Sequence, residues 1–130
     1  MSQENVEIVR RAFEASVRHD NESVFPLYDP EVEIDLTASG RGVYHGLEDI
    51  RQWFRDWLSA FEDPSWEVEE WIDAGEHVIA VMRLRGRGKL SGAPAEMVEA
   101  HVWTLRSGRL WRLRVYGTKL EALEAAGLRE

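Results

Sequence analysis

The chain has 130 residues, 44% of them hydrophobic, and 24 acidic against 16 basic side chains give a net charge of −8. This length fits one domain with a sizeable core, which we expect to cover residues 1–130. The lack of cysteine excludes disulfides, thiolate catalysis and cysteine-based zinc sites. The acidic balance argues against nucleic acid as a partner. No apolar run approaches the roughly 20 residues that span a membrane, and the N-terminus opens no signal peptide, so we expect a cytoplasmic protein.

Helical and strand patterns divide the first half of the chain. Apolar residues recur at helical spacing over 3–18, which predicts an amphipathic helix, and a short helix is predicted over 22–28. Strict alternation from Val32 to Thr37 predicts a half-buried strand. Residues 38–46 predict a loop, and a strong apolar stripe over 47–61 predicts a third helix.

Strand patterns dominate the second half. Residues 66–73 and 77–87 predict two strands joined by a turn at Gly75. The stretch 86–95 is rich in glycine and predicts either a flexible connection or a strand end with a bulge. A short helix is predicted over 120–126. Helices first and meandering strands afterwards predict an α+β fold with an antiparallel sheet.

The stretch from Glu99 to Tyr116 predicts a hairpin that turns at Ser107-Gly108. Regular pairing outward from this turn places His101 opposite Arg114 and sorts the side chains onto two faces. The apolar face carries Ala100, Val102, Thr104, Trp111, Leu113 and Val115. The aromatic and charged face, which we expect to meet water, a partner or a ligand, carries Glu99, His101, Trp103, Arg112, Arg114 and Tyr116.

Three stretches together carry a family resemblance: DPEVEIDLT at 29–37, GVYHGLEDIRQWFRDW at 42–57 and HVWTLRSGRLWRLRVYGTKLEALEAAGL at 101–128. They resemble the NTF2-like superfamily and, within it, the SnoaL-like, ketosteroid-isomerase-like group. The resemblance implies a cone-shaped, curved antiparallel sheet wrapped around three helices, with a pocket between them. It also implies a homodimer through the outer sheet face, which here would present Trp103, Arg112, Arg114 and Tyr116.

The positions that carry catalytic groups in this group align with apolar residues here. The resemblance places the tyrosine and two aspartates of ketosteroid isomerases at Ala12, Ile34 and Ala100. The acid of cyclases and hydrolases aligns with Val115, and the remaining hydrolase residues fall near Met82 and Leu84. We therefore expect an apolar pocket for a small hydrophobic molecule.

Three residues are candidates for acid–base chemistry. Asp35 would act as a general base if a one-residue bulge turned it inward, and otherwise it lies on the outer face or bonds loop backbone. His101 would act as an acid or base if it faced the pocket, although the alternation favours an interface or surface position. Tyr44 could hydrogen-bond a ligand carbonyl at the mouth of the cone, or simply pack the loop.

A further set of residues could form the walls of a ligand pocket, or could equally pack a core. The set comprises Trp53, Trp57, Met82, Leu84, Trp111 and Val115. The alternating Arg83, Arg85 and Arg87 predict either an anion-binding strip or an ion-pair ladder with neighbouring glutamates. The four histidines show no spacing suited to a metal, and we expect neither a metal nor a cofactor.

Three functional hypotheses follow. The first is a small-molecule-binding cone with an apolar pocket. The second is a cofactor-independent isomerase, cyclase or hydratase that acts on a hydrophobic carbonyl or polyketide-like substrate, with Asp35 as the base. The third is a protein-interaction module that uses the outer face of the hairpin.

Overall fold

A computed structural model describes residues 2–18 and 20–128, without the side chains of Ser2, Asn21, Ser39, Trp57 and Leu58. The helices are α1 (Ser2–Val17), α2 (Asn21–Val24), α3 (Gly46–Ala60) and α4 (Lys119–Ala125), with short 3-10 turns at Phe25–Leu27 and Thr37–Ser39. The strands are β1 (Tyr28–Asp35), β2 (Val43–His45), β3 (Phe61–Ala74), β4 (His77–Gly88), β5 (Pro94–Arg106) and β6 (Arg109–Tyr116). None of these helices combines the length and apolarity needed to cross a bilayer.

The six strands form one open, curved sheet in the order β2-β1-β6-β5-β4-β3. The predicted α+β class is confirmed. The sheet is mixed rather than wholly antiparallel, because β1 pairs in parallel with β6. The two strands are distant in sequence, so no tight turn imposes an antiparallel arrangement on them.

Two connections differ in detail from the sequence predictions. The glycine-rich stretch over 86–95 forms the ends of β4 and β5 and a tight turn, in which Gly88 N lies 3.1 Å from Ala93 O. Residues 43–45, predicted within a loop, form strand β2 because they pair with residues 33–35 of β1. This short strand closes the loop back onto the edge of the sheet.

The hairpin of β5 and β6 contains a bulge that the sequence did not reveal. Leu105 pairs with Leu110 as predicted, but Thr104 pairs with Arg112, and Trp111 between them has no partner. The ring of Trp111 lies against the guanidinium of Arg112, 4.8 Å from the ring centroid. An extra residue on one strand shifts every later pair by one position.

This shift reverses the predicted relation between the two hairpin strands. His101 lies opposite Val115, and Trp103 lies opposite Leu113. Residues directly opposite in an antiparallel pair share a face. The expected grouping of Trp103 with the arginines of β6 is therefore wrong. The outer face proposed for a dimer lacks this tryptophan, and homodimer formation stays a prediction.

The concave face of the sheet is covered by the first three helices. The core on this face joins Val9 of α1, Val24 of α2 and Ile50 of α3 to Ile34 and Leu113 of the sheet. Burial of one such aliphatic side chain stabilises the fold by about 2 kcal/mol. The helices and the concave face of β4 and β5 thus enclose a space.

The convex face carries a second, smaller core. Ile79 and Val102 of the sheet pack there with Ala122 and Leu123 of α4. Lys119 at the start of α4 lies 2.9 Å from Glu70 of β3. The last helix thus covers the back of the sheet opposite the concave face.

The arginines that alternate along β4 form an ion-pair ladder on the convex side. Arg83 contacts Glu69 at 2.9 Å and Glu96 at 2.7 Å, and Arg85 contacts Glu96 at 2.9 Å. Of the two predicted alternatives, an anion-binding strip or an ion-pair ladder, Arg83 and Arg85 therefore form the ladder. Arg87 donates instead to the carbonyl of Gly92.

Candidate functional site

A cavity of about 270 Å³ lies between the concave face of the sheet and helices α1 and α3. Its volume is slightly below that of typical ligand pockets, which is roughly 300–1,000 Å³. Eight aromatic side chains line it: Phe13, Phe25, Tyr28, Trp53, Phe54, Trp66, Trp71 and Trp103. Polar and charged side chains also reach it: Ser16, Arg41, Arg51, Arg55, Glu99 and His101.

The floor of the cavity holds a hydrogen-bonded pair, Glu99 and His101. Nε2 of His101 lies 3.0 Å from Oε1 of Glu99, and the two residues are only 7% and 8% exposed. They are two positions apart on β5, so both point to the concave face. His101 stands between Ala80 of β4 and Val115 of β6, whose small and apolar side chains leave the ring room towards the cavity.

Arg41, in the loop before β2, completes this polar group from the cavity side. Its Nη2 lies 3.0 Å from Oε2 of Glu99, so each carboxylate oxygen has its own partner. The loop that carries Arg41 is fixed by its backbone, because Arg41 N bonds Leu36 O at 3.0 Å. Gly40 permits the preceding turn with a φ of 79°, which a side chain would disfavour.

The contacts of Glu99 determine how it ionises. Burial acts to raise the pKa of its carboxyl, but the hydrogen bond from His101 and the positive charge of Arg41 outweigh burial and hold the pKa below its usual value. Glu99 is therefore a carboxylate at neutral pH and can only accept hydrogen bonds.

This charge state selects the tautomer of His101. Because Glu99 can only accept, the proton of the hydrogen bond must lie on Nε2 of His101. A neutral ring then has its lone pair on Nδ1. Within the described part of the chain, Nδ1 has no hydrogen-bond partner. A buried imidazole, oriented by a carboxylate and with one nitrogen left for a bound molecule, is suited to proton transfer.

Tyr28 adds a second polar group to the wall. Its ring packs against Trp103 with 5.8 Å between the ring centroids. Burial raises the pKa of Tyr28 far above its usual range, so the hydroxyl remains protonated. No residue of the described ranges accepts a hydrogen bond from this hydroxyl, and it is available to a ligand oxygen.

Asp35, predicted as a candidate base, lies away from the cavity. Its Oδ1 accepts hydrogen bonds from Thr37 N at 3.0 Å and from Thr37 Oγ1 at 2.6 Å. These bonds lower the pKa of Asp35 and weaken it as a base. The register of β1 is irregular between Tyr28 and Glu33, but Asp35 stays on the face opposite the buried Val32 and Ile34, as in the outward alternative.

Tyr44 also lies outside the cavity lining. Its hydroxyl donates to Oδ2 of Asp56 at 3.0 Å, and its ring packs beside Trp53 at 6.4 Å. This position corresponds to the loop-packing alternative. A hydrogen bond from Tyr44 to a ligand in the cavity would require this contact to break.

The predicted wall residues divide into three groups. Trp53, Met82, Leu84 and Val115 line the cavity and stay candidates for ligand contact. Trp111 does not line the cavity, because the bulge places its ring between Arg106 at 4.6 Å and Arg112 at 4.8 Å. The side chain of Trp57 lies outside the described part.

The expectation of a wholly apolar pocket is wrong, because it followed the predicted hairpin register. That register placed Glu99 and His101 on the outer face. The sequence did contain one usable signal, a glutamate and a histidine at alternate positions of a predicted strand. Arg41 had no such signal, since it meets Glu99 only through folding. Elsewhere in the described ranges, no three potential metal ligands come together.

Comparison with solved structures supports the fold. A protein of the same fold from Burkholderia thailandensis, called NTF2-like, is 26% identical, with 96% of this chain and 98% of that chain covered and a TM-score of 0.80. A protein from Jannaschia sp. CCS1, provisionally assigned as a SnoaL-like polyketide cyclase, is 21% identical over 95% of this chain and 91% of that chain, with a TM-score of 0.78.

A third similar structure contains a small ligand. It is a protein with a ketosteroid isomerase-like fold from Catenulispora acidiphila, in complex with trimethylamine. It is 20% identical over 95% of this chain and 94% of that chain, with a TM-score of 0.73. No curated protein matches the chain by sequence. The sequence profile of the SnoaL-like domain matches residues 9–113, and the chain therefore belongs to the SnoaL-like family.

Proposed function

We propose that this protein is a cofactor-independent enzyme that moves a proton on a compact hydrophobic carbonyl compound, with His101 as general base and acid. Isomerases, cyclases and hydratases all use such a step. The observation that carries the proposal is the buried 3.0 Å contact between Glu99 and His101 at the floor of an aromatic cavity. In this proposal His101 takes the role of base that the sequence suggested for Asp35, whose hydrogen bonds lie outside the cavity.

The chemistry follows from the tautomer. Nδ1 of His101 takes a proton from a carbon next to the substrate carbonyl, and the electron pair left behind forms an enolate. The ring becomes an imidazolium, which the Glu99 carboxylate stabilises, and Nδ1 then returns the proton to another atom of the substrate. Glu99 acts through His101 and is a positioning residue.

The enolate oxygen needs hydrogen-bond donors that are in place before reaction. Tyr28 supplies a protonated hydroxyl in the cavity wall. Arg41 supplies positive charge at the opposite side of Glu99. The aromatic wall excludes water, which strengthens both interactions.

Proton abstraction can be tested without knowing the natural substrate. The probe 5-nitrobenzisoxazole loses its ring proton to a base, its N–O bond breaks, and the absorbing product 2-cyano-4-nitrophenolate forms. We expect the purified protein to accelerate this elimination. His101→Gln should reduce the rate about 100-fold or more, the usual contribution of a general base, while the folded circular dichroism spectrum is retained.

Asp35→Asn is the matched control, since it changes a carboxylate that lies outside the cavity. Its rate should stay within about twofold of the wild type. An equal rate for His101→Gln and wild type, or loss of rate in Asp35→Asn alone, would refute the assignment of His101. A protein that binds the probe but never accelerates its elimination would instead support a binding function.

A further inference from the structure

The charges around the cavity opening differ in sign from the protein as a whole. The whole chain carries a net charge of −8. Yet three arginines, Arg41, Arg51 and Arg55, line the cavity, and Glu99 is the carboxylate in the described lining. Glu99 is already engaged by Arg41 and His101. Arg51 and Arg55 therefore bring positive charge to the described lining that Glu99 does not balance.

Two of these arginines stand together on one side of α3. Arg51 and Arg55 are four residues apart, so their side chains are neighbours along the helix. The guanidinium of Arg51 lies 4.5 Å from the ring centroid of Phe25, which also lines the cavity. That contact places the positive group of Arg51 against the aromatic wall.

The contacts of these arginines leave their charge largely uncompensated. Arg51 pairs with Glu48 only at 3.8 Å, and the side chain of Glu48 is 88% exposed. An ion pair as exposed as that of Arg51 with Glu48 contributes little to stability. Arg55 donates to the neutral Oε1 of Gln52 at 2.9 Å. Both guanidiniums can therefore turn part of their hydrogen-bonding capacity to a ligand.

We infer that the carbonyl substrate is a compact aromatic anion, whose carboxylate or phenolate is held by Arg51 and Arg55 while its ring system enters the aromatic cavity. This inference concerns the same cavity and rests on the proposed function. A guanidinium is well suited to this role, because its planar donors match a carboxylate and its face stacks on aromatic rings. The charged group would stay near the opening and the reacting carbon would lie below, near His101.

The competing explanation is that the two arginines only cover the edge of the core. Arg51 would then stack on Phe25 for packing alone, as long cationic side chains often do. The two explanations differ in one property. Packing alone gives no preference for the charge of a ligand, whereas an anion site does.

Calorimetric titration of 2-naphthoate and 2-naphthamide measures this preference, because the two probes share one ring system and differ in charge. We expect the wild type to bind 2-naphthoate at least about tenfold more tightly. The ratio should fall to about twofold in Arg51→Gln/Arg55→Gln. In Arg11→Gln/Arg109→Gln, which removes two exposed positive charges outside the lining, the ratio should remain.

Salt dependence tests the same point without mutation. Because screening weakens attraction between exposed charges, the affinity of 2-naphthoate should fall as sodium chloride rises, and that of 2-naphthamide should change little. Equal affinities for the two probes, absence of 2-naphthoate binding, or a ratio unchanged in the α3 double variant would each overturn the inference.

The result is separable from the proposed function. His101→Gln should keep the preference for 2-naphthoate, because Arg51 and Arg55 are unchanged in this variant. It should lose the elimination reaction, because the base is removed. Loss of the preference with the elimination intact would overturn only the anion site. If the preference for 2-naphthoate is present but neither the wild type nor any variant accelerates the elimination, only the proton-transfer function would be overturned.

Discussion

Nε2 of His101 lies 3.0 Å from Oε1 of Glu99 on the concave face of β5. The contact joins the two buried polar residues of the sheet and directs the imidazole proton away from the cavity. Arg41 binds the second carboxylate oxygen at 3.0 Å. Removing one member of such a group should change both stability and chemistry, because the remaining charges are left without a partner.

Glu99→Gln should lower stability in a pH-dependent way. The pKa of Glu99 is held below its usual 4.5, so its contribution is present above that pH and is lost as the pH falls through the lowered value. We expect the variant to lose about 2 kcal/mol of unfolding free energy at pH 7, with a smaller difference from wild type at pH 3. Urea unfolding at the two pH values measures this, and a difference that grows on acidification would contradict the charge state assigned to Glu99.

The same variant should also slow proton transfer. Without the carboxylate, Nε2 of His101 loses the acceptor that fixes its proton, and the imidazolium formed during reaction is less stabilised. The kcat of the elimination should therefore fall at a temperature where both proteins are folded, while KM changes little. A purely structural role of Glu99 predicts an unchanged kcat under these conditions.

Tyr28→Phe should separate ligand contact from stability. The hydroxyl has no hydrogen-bond acceptor in residues 2–18 and 20–128, so its loss should change the unfolding free energy by no more than about 0.5 kcal/mol. The affinity for 2-naphthoate should fall if the hydroxyl meets a ligand oxygen. Tyr44→Phe is the control, since Tyr44 bonds Asp56 outside the cavity and its removal should leave the affinity unchanged. A large loss of stability in Tyr28→Phe would show that the hydroxyl has a structural role.

Deletion of Trp111 should be tolerated, although the residue lies inside a strand. Because Thr104 already pairs with Arg112, removing the unpaired residue leaves Leu113 and Val115 on their present face. Deletion of Arg114 should be far worse, since it turns Val115, 1% exposed, to the opposite face and loses about 2 kcal/mol from that side chain alone. Thermal unfolding of the two deletion variants compares them, and equal melting temperatures would argue against the bulge.

The sequence by itself determined the elements that depend on local periodicity. The alternation in β1 and β4 and the stripe on α3 placed Ile34, Met82 and Ile50 in the interior, because side-chain direction follows directly from the strand or helix period. The polar residues that alternate with the apolar ones along these strands were predicted to point to the outer face. These patterns, with the order of the elements, are why the α+β fold could be predicted.

Only the tertiary structure decided what stands inside the cavity. This bulge leaves no recognisable residue pattern in the sequence, and Trp111 is its unpaired extra residue. That single residue set Val115, rather than an arginine, opposite His101. The ion pair of Arg41 with Glu99 joins residues 58 positions apart, and no local period relates them. Their meeting depends on strand register and loop closure, which are properties of the assembled sheet.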